Sequence, residues 1–330
     1  MSTEKTRLHI RNKNRERYDL NALKEAEPAL GNYIKPNKYG DDSVEFANPE
    51  AVKLLNKALL SHYYGIKNWD FPAENLCPPI PGRADYLHYM ADLLGQSNFG
   101  SIPEGEKITV LDIGVGANCI YPALGVSEYG WKFVGSDADP NSVASAGKIA
   151  ESNAQLKDNV EIRLQPDADS VFHGIIGDGE RFDFTLCNPP FHSSAEEAEK
   201  GTQRKVRNLT GKKAAETELN FSGISQELIH PGGEIAFIRK MIKESRAFGK
   251  NCYWFTTLVS KESNLKKVYS ALEDAGIVYR KTMPMGTGNK VSRIVAWTFL
   301  TREEQMQWRE DRWKVKTTDE KQKHQPDSRV

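Results

Sequence analysis

The chain has 330 residues, 38% hydrophobic and 27% charged, with 45 basic and 45 acidic side chains and a formal net charge of zero. That length supports one large domain, or one domain with an appendage. It contains no apolar run near the roughly 20 residues of a membrane span. Its start, Met1-Ser2-Thr3-Glu4-Lys5, lacks the apolar stretch of a secretory signal, so a cytoplasmic protein is expected. Cys77, Cys119, Cys187 and Cys252 are scattered without a C-x-x-C pair, which argues against a disulfide frame or zinc site; no metal is expected. With zero net charge, a polyanionic partner would have to be held by local patches.

Residues 1–105 read as a basic, mainly helical N-terminal extension. The first twenty carry Arg11, Lys13, Arg15 and Arg17, a candidate phosphate-binding cluster. Residues 21–95 read as helical. Asn48-Pro49 is a helix start, with Asn48 as cap and Pro49 at the first helical position. Leu87, Met90 and Leu94 fall at helical spacing beyond the proline-rich loop Cys77–Gly82.

Between residues 106 and 300 short apolar runs alternate with helical stretches, the pattern of an α/β domain with a mostly parallel sheet. The runs are Ile108–Asp112, Phe133–Asp137, Val160–Leu164, Phe182–Cys187, Cys252–Val259, Ile277–Tyr279 and Ile294–Leu300. The last two, joined through Gly286-Thr287-Gly288, read as an antiparallel C-terminal hairpin. Helices are predicted from Asp139-Pro140 and over Ile235–Arg246. Residues 301–330 form a charged tail, with one helix over Glu303–Val315 and a disordered end at Thr317–Val330.

Three motifs carry chemistry. Asp112-Ile113-Gly114-Val115-Gly116-Ala117-Asn118 follows the first strand, and its alternate glycines let backbone turn close to a ligand. The third glycine of a dinucleotide fingerprint is missing. Asp137 ends the second strand about twenty residues past that turn, where an acid can accept both hydroxyls of a ribose. Asp139, directly before Pro140, is the better helix cap, which leaves Asp137 for the ribose. Asn188-Pro189-Pro190-Phe191 follows the fourth strand; its amide, carbonyls and aromatic face suit a flat, planar nitrogen substrate such as a nucleobase amine. Ligands of open parallel sheets sit at the carboxyl ends of strands, so all three motifs share one edge. A glycine turn plus a ribose acid fits NAD or S-adenosylmethionine. The Asn-Pro-Pro-Phe loop favours the methyl donor, with donor and acceptor sites side by side.

Beyond that loop, Gly201–Lys213 holds Arg204, Lys205, Arg207, Lys212 and Lys213 and no acid. Attached to the catalytic loop, this run reads as a phosphate-binding segment rather than a merely solvated surface. His192 is within reach of the loop, but a polar loop histidine is the better reading of it.

These motifs resemble the amino-methyltransferases of the class I, S-adenosylmethionine-dependent fold. Leu8-His9-Ile10-Arg11-Asn12, Phe46-Ala47-Asn48-Pro49, Pro79–Tyr86, Asp112–Pro122 and Leu186–His192 resemble, more narrowly, the bacterial large-subunit ribosomal RNA methyltransferase F family. The similarity spans roughly residues 7–300. It implies a Rossmann-like class I methyltransferase sheet and methylation of the exocyclic N6 amine of one adenine in 23S ribosomal RNA, presented as RNA or as a large-subunit assembly intermediate, by a monomer. It also implies roles. Arg83 would reach the methionine carboxylate of the cofactor, Asp112, Gly114 and Gly116 would form the cofactor turn, and Asp137 would hold the ribose. Asn188 would stand at the transferring methyl, and Phe191 would stack on the adenine. A contact to the cofactor adenine is expected somewhere in Gln165–Ser170. The loop alone leaves guanine N2 and protein glutamine open as acceptors. A non-catalytic ribosome-assembly factor with the same fold is a further alternative, and an NAD-dependent dehydrogenase a distant one.

Overall fold

The computed structural model describes residues 8–37, 39–194, 196–197, 228–287 and 290–314. Arg204, Lys205, Arg207, Lys212, Lys213 and the Thr317–Val330 tail lie outside the described residues.

The strands β3 (Thr109–Ile113), β4 (Lys132–Asp137), β5 (Val160–Leu164), β6 (Phe182–Cys187), β7 (Cys252–Val259), β8 (Tyr279–Thr287) and β9 (Lys290–Thr298) form one sheet in the order β5-β4-β3-β6-β7-β9-β8. The pairs from β5 through β7 are parallel, and β9 runs antiparallel to both β7 and β8. All of β6 and β7 is buried, as strands covered on both faces must be. Successive residues of β3 feed different cores. Val110 packs with the N-terminal helices α2 (Pro49–Tyr64) and α3 (Ile80–Ser97) and with α4 (Ile120–Tyr129). Leu111 and Ile113 pack with α7 (Gly233–Ser245) and α8 (Leu265–Ala275). Tyr86 of α3 reaches the sheet, its hydroxyl 2.7 Å from Thr256 Oγ1.

Local sequence sets the helix starts. Asn48 Oδ1 accepts from the Glu50 N–H at 2.9 Å ahead of α2. Asp139 accepts from the N–H groups of Asn141 and Ser142 at the start of α5 (Pro140–Ser152). Such caps satisfy donors that the first helical turn leaves unpaired.

Three expectations need correction. The stretch 21–95 is not wholly helical. Besides α1 (Leu20–Ala26), it holds a small antiparallel ribbon of β1 (Ile34–Pro36) and β2 (Asp42–Val44); three-residue strands are too short to show a period in sequence. The C-terminal hairpin is longer than the apolar runs suggest, because β8 continues through Pro284. A proline is tolerated there since β8 is the edge strand and needs no second ladder. The helix placed at Glu303–Val315 is α9, Arg302–Arg312, started by a Thr301/Glu304 capping box. A short helix, α6 (Ala154–Lys157), precedes β5. Among the described residues no helix is long and apolar enough to cross a membrane.

Candidate active site

Strand order reverses at β3, which pairs with β4 on one side and β6 on the other. Such a switch point opens a crevice beyond the carboxyl ends of the strands. The register aligns Ile113 with both Ser136 and Cys187. The residues that follow, Gly114, Asp137 and Asn188, therefore emerge side by side. A cleft of about 240 Å³ lies there, lined by Arg83, Gly114, Gly116, Asp137, Asn188 and Pro190, among others.

Gly114 sits at φ +72° and Gly116 at +64°, a region that side-chain-bearing residues rarely enter. The amides of Gly114 and Val115 both donate to the Ser136 carbonyl at 2.9 Å, folding the turn back onto β4. The Gly116 amide donates to Asp137 Oδ2 at 3.0 Å, and the Asp139 amide donates to Asp137 Oδ1 at 3.0 Å. Asp137 is thus aimed by backbone, with burial raising its carboxyl above the ordinary range. Cys119, at the position of the fingerprint's third glycine, itself sits at φ +51°, and it is preceded by Asn118. The Asn118 carbonyl accepts from Trp69 Nε1 at 2.7 Å and its Oδ1 from the Ile120 amide at 3.2 Å. Asn118 thus ties the N-terminal extension to the α4 entry.

Arg83 enters from the first turn of α3. Its Nη1 donates to the Tyr121 hydroxyl at 2.9 Å, and its guanidinium lies 5.4 Å from the centre of that ring. Burial pushes the Tyr121 phenol up to about 12, so it stays a neutral acceptor. Arg83 Nε is buried without a hydrogen-bond partner. An orphaned guanidinium donor at a cleft wall calls for an anion, and a ligand carboxylate answers that need. The glycine turn, the ribose-height acid and this arginine are together a fit for S-adenosylmethionine.

Asn188 is partly exposed and borders the cleft. Its side-chain amide makes no hydrogen bond with any described residue. Pro189 is buried behind it, and Pro190 joins the lining. Phe191 is half-buried beside the lining and pairs with no other ring among the described residues. The loop is stapled at its far end, where the His192 amide donates to the Leu228 carbonyl and the His230 amide to the His192 carbonyl, each at 3.0 Å.

A family model described as RNA methyltransferase matches residues 2–301. The chain belongs to this family. It is 56% identical over 310 residues to the ribosomal RNA large subunit methyltransferase F of Cytophaga hutchinsonii, covering 94% of this chain and 96% of that one. The protein of the same name from Serratia proteamaculans is 52% identical over 312 residues, covering 94% and 93%. The human METTL16 catalytic domain, solved in complex with MAT2A 3'UTR hairpin 1, superposes with a TM-score of 0.75 at 27% identity, covering 89% of this chain and 96% of that one. The N-terminal domain of human METTL16 in complex with SAH gives 0.70 at 26% identity, covering 89% and 99%. The sheet is therefore that of a class I methyltransferase, and the protein is an S-adenosylmethionine-dependent enzyme.

Several predicted residues of this methyltransferase stand apart from the cleft lining. Asp112 lies behind it, 1% exposed, with both carboxylate oxygens lacking a partner. Arg11 pairs with Asp92 at 2.8 Å and also donates to the Tyr129 hydroxyl and the His88 carbonyl. Lys13 pairs with Glu128 at 2.6 Å and donates to the Tyr63 carbonyl. Arg15 is half-buried, and Arg17 is exposed near Asp41. The lining also contains Tyr121, Ile229, His230 and Phe237, which sequence reasoning missed. Nothing in the local sequence marks them; Ile229 and His230 lie in a segment that pairs with His192 just past the Asn-Pro-Pro-Phe loop, and Phe237 comes from α7. Gln165, Ala168 and Ser170 line it too, within the stretch expected to meet the cofactor adenine.

Asp112 predicts a pH dependence. Burial raises its carboxyl to about 8, against the pull of Arg83 and with added repulsion from Asp137. The folded chain therefore holds a proton there that the unfolded chain releases near pH 4. This contribution to stability is full below pH 4 and is lost, at about 1.4 kcal/mol per pH unit, as pH rises toward 8. Asp112→Asn should flatten the fall of Tm between pH 5 and 8 relative to wild type. Parallel Tm–pH profiles for the two proteins would contradict the assignment.

Proposed function

We propose that the protein methylates the exocyclic N6 amine of one adenine in 23S ribosomal RNA, acting as a cytoplasmic monomer on the RNA or on a large-subunit assembly intermediate. The carrying observation is the uncommitted Asn188 amide on the same cleft edge as Gly114, Asp137 and Arg83. The names of the bacterial relatives and the RNA held by the human structural neighbour support the substrate class.

In this reading Arg83 holds the cofactor carboxylate, the Gly114–Gly116 turn passes close to its backbone atoms, and Asp137 takes the ribose hydroxyls. Asp112, buried behind the turn and protonated below about pH 8, adds no charge under the ligand. S-adenosylmethionine, when bound, supplies a methyl group on a sulfonium whose departure leaves a neutral thioether.

The remaining task falls to the protein: making a poor nucleophile good. An adenine N6 lone pair is delocalised into its ring. Asn188 Oδ1 and the Pro189 carbonyl accept the two N6 hydrogens, favour a pyramidal nitrogen and aim its lone pair. Proline at 189 and 190 fixes the loop so that this geometry is present before substrate arrives. Orientation of this kind contributes up to about 7–11 kcal/mol. Phe191, which pairs with no other ring among the described residues, stacks on the base for roughly 1–3 kcal/mol, and the base must be unpaired or flipped to reach it. The methylated nitrogen loses its proton readily to water, so no side-chain base is required.

RNA phosphates are assigned to Arg204, Lys205, Arg207, Lys212 and Lys213, and to the N-terminal Arg15 and Arg17. Arg11 and Lys13, the other members of that cluster, pair with Asp92 and Glu128. Neutralising Arg204, Lys205 and Arg207 together should weaken RNA binding and lower its salt slope by about 3, since each phosphate contact contributes about one. Cofactor affinity should not change. An unaltered RNA affinity and slope in filter binding would remove the run from the interface.

The substrate class is tested by labelling. Purified enzyme with methyl-labelled S-adenosylmethionine and a ribosome-free extract of cells lacking this protein, supplemented with their large-subunit particles, should place label in 23S RNA. Label confined to protein, or to small-subunit or transfer RNA, would overturn the reading.

A further inference from the structure

The segment Leu8–Asn14 contributes nothing to the cleft lining, yet His9, Asn12 and Asn14 are only 8%, 4% and 2% exposed. Polar side chains of a terminal arm stay solvated unless something holds them. Here the holding point is the start of α3. Asn12 Nδ2 donates to Asp85 Oδ1 at 2.5 Å and to the Pro81 carbonyl at 2.8 Å. Its Oδ1 accepts from the Asn14 amide and from Asn14 Nδ2, both at 2.9 Å. Asp85, fully buried, also accepts from the His9 amide at 3.0 Å. Asn14 Nδ2 extends the chain of bonds to the Tyr64 hydroxyl on α2.

Pro81 and Asp85 bracket Arg83. The turn between them has no side-chain cap of its own, because its N-cap residue is Pro79. From outside the helix, the Asn12 amide bonds both ends of this turn, at the Pro81 carbonyl and Asp85 Oδ1. Arg83 makes one side-chain hydrogen bond, to Tyr121, and leaves Nε buried and unpaired. A guanidinium can offer a fork to a carboxylate only if its stem is placed in advance.

We propose that Asn12 is a positioning residue for Arg83, so that the N-terminal segment sets the enzyme's grip on the amino-acid end of its cofactor. This rests on the reading of Arg83 as the carboxylate anchor. The test uses two ligands on the full-length protein by calorimetry. S-adenosylhomocysteine carries the carboxylate; 5'-methylthioadenosine has the same nucleoside and lacks it. Asn12→Ala should weaken S-adenosylhomocysteine by about tenfold or more, a loss of about 1.4 kcal/mol, and leave methylthioadenosine within about twofold. Asp85→Ala, which removes the Oδ1 that accepts from both Asn12 and the His9 amide, should act in the same direction. Arg83→Ala should show the same selectivity. If Arg83→Ala weakens S-adenosylhomocysteine while both Asn12→Ala and Asp85→Ala leave it unchanged, the positioning role is wrong and the anchor stands. If Arg83→Ala spares it, the anchor reading falls and takes the proposal with it. Equal loss of both ligands in Asn12→Ala would show general collapse of the pocket and would also overturn the proposal.

Discussion

Asn188→Ala is expected to lower kcat for methyl transfer by at least about 10²–10³-fold, with the KM for S-adenosylmethionine little changed. The magnitude follows from removing one preorganised polar group aimed at the reacting centre. The KM expectation follows because the interaction is made with the acceptor amine, where it is strongest in the transition state. The amide is unusually free to do this. It borders the cleft directly after the fully buried strand β6 and spends no hydrogen bond on any described residue. Its removal therefore takes away function without leaving an unpaired partner inside the protein. The variant should unfold at the wild-type temperature and bind S-adenosylhomocysteine normally. Single-turnover transfer at the wild-type rate would mean that N6 is oriented by some other group.

The second large effect is on stability, at the opposite end of the same strand. Asp183 is fully buried within β6. Its carboxylate accepts from the Thr109 amide at 2.7 Å, from Trp308 Nε1 at 2.8 Å, from Trp313 Nε1 at 2.7 Å, and from Arg312 Nη2 at 2.8 Å. One side chain thus docks α9 and the residue beyond it onto the sheet. Arg312 also donates to the Lys107 carbonyl at 3.1 Å, while the Arg181 guanidinium lies 4.1 Å from the centre of the Trp308 ring. Asp183→Ala would strand a mostly buried guanidinium and two indole N–H groups. Breaking one partner out of such a buried network costs about 3–5 kcal/mol, which at this chain length lowers Tm on the order of 10 °C. Asp183→Asn keeps some acceptors and should lose less. A Tm for Asp183→Ala within about 2 °C of wild type, by circular dichroism, would show that α9 is not anchored this way.

These two residues show what the sequence made legible. The cleft was readable because each of its main parts is local in sequence: a glycine turn, an acid at a strand end and a proline-stiffened loop each follow an apolar run. The parallel arrangement then forces strand ends to one edge. Asp183 was a signal left unused, since an acid inside Phe182-Asp183-Phe184 must find partners if the run is a buried strand. Those partners, Trp308, Arg312 and Trp313, lie on the far side of the chain in a stretch that composition alone marks as charged tail. The same holds for Tyr121, His230 and Phe237. Each enters the cleft through tertiary contact, and none carries a period or spacing that points there. The internal pairing of Arg11 and Lys13 was equally hidden, because a run of basic residues reads alike whether its acids lie in solvent or in helices 80 residues away.

In the proposed reaction this cleft delivers a methyl group to the N6 amine of an adenine in 23S RNA. Purified enzyme, S-adenosylmethionine and 23S RNA or large-subunit particles from cells lacking the protein should yield one new modified nucleoside on digestion and mass analysis. It should be N6-methyladenosine, absent when Asn188→Ala replaces the wild type. N2-methylguanosine, or no modified nucleoside in any large-subunit substrate, would contradict the account.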